Sequence, residues 1–96
     1  MEEITIIKKL LGEGKLKIVF NLLETMTQGT SVYTENLTLQ KQYKQYASDK
    51  MLGLISWEKA YLTENKLTMQ TLKLCDEIEN QKITVNIAPT VFQKYQ

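Results

Sequence analysis

The stretch Gly53-Leu54-Ile55-Ser56-Trp57-Glu58-Lys59-Ala60-Tyr61-Leu62-Thr63-Glu64-Asn65-Lys66-Leu67 ends one helix and begins another. Gly53 supplies the left-handed backbone that commonly closes a helix. Ser56 is placed to accept a hydrogen bond from a free N–H of the following first turn. Glu58 lies at the positive end of the new dipole, and Ile55 can staple against Ala60. The helix begun at Ser56 is predicted to continue to about residue 80. At 100° per residue its Trp57, Ala60, Tyr61, Leu67, Leu72, Leu74, Cys75 and Ile78 project onto one broad face. Glu64 falls in the middle of that arc and Asn65 at its border. A buried carboxylate needs a partner, so Glu64 predicts a lysine, a tyrosine hydroxyl or backbone N–H groups beside it. Buried polar groups are normally satisfied internally, which favours bonding to an interhelical loop over a polar notch facing a partner. Ser56, Glu64 and Asn65 are therefore read as structural polar residues.

Toward the N-terminus the apolar spacing predicts three more helices, at about 2–11, 15–27 and 31–49. In the first, Ile4, Ile7, Leu10 and Leu11 recur at helical intervals behind Glu2 and Glu3, and Gly12-Glu13-Gly14 breaks it. So short a link folds the second helix back beside the first. That second helix carries Leu16, Ile18, Val19, Phe20, Leu22, Leu23 and Met26 over more than half its circumference, which makes it the most buried. Lys17, Asn21 and Glu24 share its narrow remaining strip, read as solvated. Gln28-Gly29-Thr30-Ser31 is turn-rich, with Ser31 or Thr30 available to cap the third helix. There Leu39, Tyr43, Tyr46 and Ala47 share a face, and the rest is polar. The architecture predicted is all-α, a compact bundle of four main helices with an irregular C-terminal tail.

The tail reads differently. Ile83-Thr84-Val85-Asn86-Ile87 alternates with period two, Pro89 forbids a continuing helix, and Val91, Phe92 and Tyr95 follow. Such a segment packs on the bundle, pairs with another chain or begins a linker. The organisation expected is a helical domain at 1–82 and a tail or linker at 83–96.

The inventory argues against several classes of function. Ninety-six residues with 43% hydrophobic content hold one core. No apolar run is long enough to span a bilayer, and Met1-Glu2-Glu3 lacks the basic-then-apolar layout of a signal peptide; a cytoplasmic protein with no membrane partner is expected. Lone Cys75 suits a reducing compartment and reads as a core residue. Histidine is absent, no phosphate-binding glycine loop or Cys-x-x-Cys occurs, and the carboxylates are scattered. No enzyme, cofactor or metal is predicted. All twelve basic residues are lysine against eleven acidic ones, net charge +1, which disfavours nucleic acid as a partner. A small nucleic-acid-binding helical domain stays the alternative reading.

The order of these signals resembles the bacterial effector-associated domains, most closely the type called effector-associated domain eleven. Three blocks carry the resemblance over about residues 3–80. Ile7-Lys8-Lys9-Leu10-Leu11-Gly12-Glu13-Gly14-Lys15 with Val19, Leu22 and Leu23 is similar to the family's opening hairpin. Leu39, Tyr43 and Tyr46 match its third helix. Gly53-Leu54-Ile55-Ser56-Trp57-Glu58, with Ala60 and Glu64-Asn65-Lys66-Leu67, looks like its capped helix and Glu-Asn-basic-aliphatic signature. Gln42 stands where the family would place an arginine, and Lys66 replaces another. The resemblance implies a death-like adaptor that recruits effector or sensor modules by like-with-like protein contact, as a homo-oligomer or filament. A head-to-tail contact needs two complementary patches. Lys8, Lys9, Lys15 and Lys17 near the first hairpin, and Asp76, Glu77 and Glu79 at the end of the last helix, are the candidate pair.

Overall fold

Three glycine-rich or polar junctions divide the chain into four helices whose lengths differ twofold. The computed structural model describes residues 2–86 and 92–95. In these, α1 spans Glu2–Gly12, α2 Leu16–Thr27, α3 Tyr33–Met51 and α4 Trp57–Asn80. No strand occurs among the described residues. The helices pack in cyclic order: α1 against α2, α2 against α3, α3 against α4, and α4 back against α1. The all-α bundle is as the periodicity predicts.

Helices α1, α3 and α4 end in the same way. In a Schellman cap the residue after the cap turns left-handed, and two N–H groups reach back to carbonyls of the last turn. Gly14 (φ 75°) does this for α1, with Gly14 N–H on Leu11 C=O at 3.0 Å and Lys15 N–H on Leu10 C=O at 3.1 Å. Gly53 (φ 70°) does it for α3, with its N–H on Lys50 C=O at 3.1 Å and Leu54 N–H on Asp49 C=O at 2.9 Å. At α4 the left-handed residue is Lys82 (φ 51°), and Ile83 N–H reaches Ile78 C=O at 3.0 Å. Three residues beyond Gly53 the N-cap of the next helix falls where the sequence predicts, with Ser56 Oγ accepting the Lys59 N–H at 3.1 Å.

The third helix starts two residues later than its spacing suggests. Val32 holds the N-cap position and makes no side-chain cap. Thr30 is engaged in the turn instead, donating its hydroxyl to Thr27 C=O at 2.7 Å and accepting the Val32 N–H at 3.3 Å. Burial of Val32 in the main core fixes the chain's entry, which outweighs a side-chain cap from Ser31.

The main core gathers Ile4, Ile7 and Leu10 of α1, Val19, Phe20 and Leu23 of α2, Leu39 of α3, and Leu74, Cys75 and Ile78 of α4. A second, smaller cluster of Tyr46, Ala60 and Leu67, with Ile55 packed against it, joins the C-terminal half of α3 to the N-terminal half of α4. Residues 83–86, the described part of the alternating segment, form no strand. They run back over α2, where Asn86 donates its backbone N–H to Met26 C=O at 2.9 Å and its side-chain amide to Gln28 C=O at 2.8 Å and Thr25 C=O at 3.3 Å. Asn86 thereby satisfies carbonyls at the α2 C-terminus that the helix cannot. Val85 and Phe92 are buried in the same core. Ile87, Pro89 and Val91 lie outside the described residues.

A lysine in the left-handed region at a helix end carries a conformational penalty that glycine lacks. Lys82→Gly is expected to raise stability by up to about 1 kcal/mol, read as an upward shift in thermal midpoint.

Candidate interaction surface

Helix α4 has two halves with different neighbours. In the C-terminal half α1 lies alongside, and Leu74, Cys75 and Ile78 are buried. Burial pushes the Cys75 thiol up to about 12, so it remains protonated and behaves as the packed hydrophobe its isolation suggests. In the N-terminal half the buried residues are Ala60 and Leu67, the α4 members of the small cluster with Tyr46. The side that carries Cys75 further along is here uncovered, so Trp57 is 81% exposed and Tyr61 57% exposed. This corrects the expectation that both belong to the packed face. Their rings stack on one another, centroids 6.1 Å apart and planes 12° from parallel. Leu54, Leu62 and Met69 are exposed as well, which extends the apolar surface along the outside of α4.

Glu64 is half-buried between the helices. Lys50 Nζ of α3 stands 3.8 Å from its Oε2 and also lies over the Tyr46 ring, 5.9 Å from the centroid. Burial, and then the adjacent Glu64 carboxylate, hold the Tyr46 phenol protonated well above its ordinary range. The Tyr46 hydroxyl falls short of hydrogen-bond geometry with any described group. Glu64 thus meets a lysine and a tyrosine from α3, and among the described residues no loop group bonds to it. Asn65 is exposed on the outer face. Its reading as a structural polar residue is corrected, because α4 turns that side away from α3.

The lysine-rich and acidic patches meet within one molecule. Lys8 Nζ bonds Asp76 Oδ1 and Glu79 Oε1, both at 2.9 Å, and so ties α1 to α4. The hydrogen bonds to Asp76 and then Glu79 hold the Lys8 ammonium charged well above its usual range, and Lys8 in turn holds Glu79 below its own. Lys15 pairs with Glu13 at 3.1 Å. Lys9 and Lys17 are exposed on α1 and α2. Glu77 faces Glu35 of α3: partial burial of Glu35, and then the Glu77 carboxylate, raise the Glu35 pKa. Lys8 of the first patch is therefore paired with Asp76 and Glu79 of the second across the α1–α4 contact.

Sequence reasoning passed over two residues of α3. Gln40 is buried and donates to Glu24 Oε2 at 3.2 Å, so Glu24 is an interhelical acceptor rather than part of a solvated strip. Asn36 is fully buried with both amide atoms unpartnered among the described residues. Neither breaks the polar pattern of α3, so no local signal marks them.

The concave features are shallow. One hollow of about 240 Å³ lies between α2 and α3, floored by Phe20 and Tyr43 and edged by Lys17 and Lys44. An open groove of about 350 Å³ between α3 and α4 takes in Tyr46, Lys59, Lys66 and Leu67, without Glu64 or Tyr61. Among the described residues no three His, Cys, Asp or Glu side chains gather as a metal would require. No helix among the described residues is long and apolar enough to cross a membrane.

The described residues thus form a four-helix domain with an exposed aromatic face on α4. The family described as effector-associated domain 11 matches residues 2–79, and the chain belongs to that family. No curated protein and no solved structure matches it. The matched span covers all of α1, α2 and α3 and nearly all of α4, and stops short of the tail that caps α2.

Two substitutions separate the exposed aromatic face from the packing beneath it. Trp57→Ala is expected to change stability by less than about 0.5 kcal/mol, as for ordinary surface positions. Leu67→Ala is expected to cost roughly 2–5 kcal/mol, both read from thermal or denaturant unfolding. Glu35 supplies a pH test. Its folded pKa lies above its unfolded value, so the penalty of ionising it is complete at neutral pH and disappears below about 4.3. Glu35→Gln is accordingly expected to raise the thermal midpoint at pH 7, and the gain to vanish toward pH 4.

Proposed function

We propose that this domain is a non-catalytic adaptor that recruits effector modules through contacts with domains of its own type in a bacterial conflict or programmed-death system. The observation that carries the reading is family membership over nearly the whole bundle, combined with an aromatic surface that the described part of the chain leaves open. Hydrophobic and aromatic patches of this kind mark protein contact sites on small soluble domains. The absence of histidine from the sequence and the shallow grooves support a role in binding without chemistry. Such recruitment works in the cytoplasm by clustering. Weak contacts between domains raise the local concentration of whatever is attached, and multivalency strengthens binding by roughly 10²–10⁴-fold.

No observation favours the nucleic-acid alternative. Lys8 and Lys15 are held by carboxylates of the same chain, and the charge of the sequence is nearly balanced. Sedimentation velocity over a wide concentration range, on the chain alone and mixed with same-family domains from neighbouring effectors, tests the adaptor reading. Association with itself or with one of those domains is the expected result. A strictly monomeric species that ignores every such domain, yet binds DNA or RNA with steep salt dependence, would overturn it.

A further inference from the structure

The outer face of α4 carries a self-complementary pattern. Taking Trp57 as 0° on the helical wheel, Tyr61 falls at 40°, Asn65 at 80°, Glu58 at 100°, Met69 at 120° and Leu62 at 140°. All six are exposed, Leu62 at 65% and Met69 at 63%. With Leu54 at the head of the helix, the apolar members expose roughly 600 Å², at the upper end of what a monomer shows. Neither α1, which is tied to α4 at Asp76 and Glu79, nor the described tail, which bonds to α2 through Asn86, lies over them. The part of this face within reach of a helix packed on Leu62 is Leu54, Leu62 and Met69, edged by Glu58, Asn65 and Lys66.

Charge fixes both the occupant and the register. Glu58 stands four residues before Leu62 and Lys66 four residues after it. Both are exposed, and neither takes part in an ion pair among the described residues. A second copy of α4 laid antiparallel, with its Leu62 on this one, brings each Glu58 to the partner copy's Lys66, giving two reciprocal pairs. The same register sets Met69 against the other copy's exposed Leu54. Antiparallel dipoles add to the fit.

We propose that the chain forms a twofold dimer through the outer face of α4, with Leu62 on the axis and reciprocal Glu58–Lys66 pairs at its flanks. This rests on the adaptor reading and specifies its self-contact as isologous, so one such contact closes at two copies and further growth needs another surface.

The axis provides the test, because only there does a residue meet itself. In Leu62→Cys, mild oxidation gives a disulfide-linked dimer, while Lys73→Cys on the same helix gives none; Cys75 is buried and does not compete. Circular dichroism and thermal melts verify that each variant is folded. By sedimentation equilibrium, Glu58→Lys or Lys66→Glu alone weakens dimerisation by roughly tenfold or more, and the two together restore it. Three results would overturn the dimer: a folded wild type that stays monomeric at the highest concentration, no cross-link at position 62, or a charge swap that fails to restore association. In each case binding of a same-family domain still decides the adaptor reading separately. If vesicles or a heterologous domain protect Trp57 fluorescence while the chain stays monomeric, the face belongs to that other occupant and the dimer is excluded.

Discussion

The difference in helix length governs this fold. At 1.5 Å per residue, the 11 residues of α1 and 12 of α2 reach roughly 16–18 Å. The 19 residues of α3 and 24 of α4 reach roughly 28 and 36 Å. Four helices can enclose a core only where all four are present, so the bundle has two tiers. One is a four-helix tier centred on Phe20, Leu23, Leu74 and Ile78. The other is a two-helix extension held by Tyr46, Ala60 and Leu67. In the extension each helix has a single neighbour, and the opposite side of α4 faces solvent whatever its composition. The exposure of Trp57 and Tyr61 is a geometric consequence of short first helices.

The extension is held by more than its small apolar cluster. Phe20, Tyr43 and Tyr46 form a line of rings from the main core into the second tier, with centroids 5.5 and 6.3 Å apart. Lys50 closes the line by lying over Tyr46 and beside Glu64. The Gly53 cap and the Ser56 cap then fix the turn at the far end, so α3 and α4 stay in register where no third helix supports them. The tail has the corresponding role at the other end, where Asn86 satisfies the last carbonyls of α2.

Local features of the chain were legible, and those that depend on what lies alongside were not. The glycine at 53, the serine at 56 and the break at Gly12-Glu13-Gly14 act within a few residues, so their spacing states their structure directly. A helical wheel, by contrast, assumes that one side of a helix is buried along its whole length. For α4 that holds at Leu74 and Ile78 and fails at Trp57 and Tyr61, because α1 packs against only part of the helix. The same limit applies to charge. Lys8 and Asp76 are distant in sequence, and nothing local announces that they meet at 2.9 Å. Gln40 and Asn36 look like ordinary members of a polar helix, and only the packing of other elements against α3 buries them.

This division also separates what folds the domain from what it presents. Residues on the outer face of α4 contribute little to either core, so their apolar character is not explained by folding. Exposed apolar surface costs solubility, and an unconstrained helix face would be expected to carry the lysines and glutamates found elsewhere on this chain. The stacking of Trp57 on Tyr61 narrows the rotamers of both rings before any partner arrives, which lowers the ordering cost of contact. Two stacked rings four residues apart on a well-capped helix form a rigid pair, and the second tier of the bundle holds that pair clear of the main core.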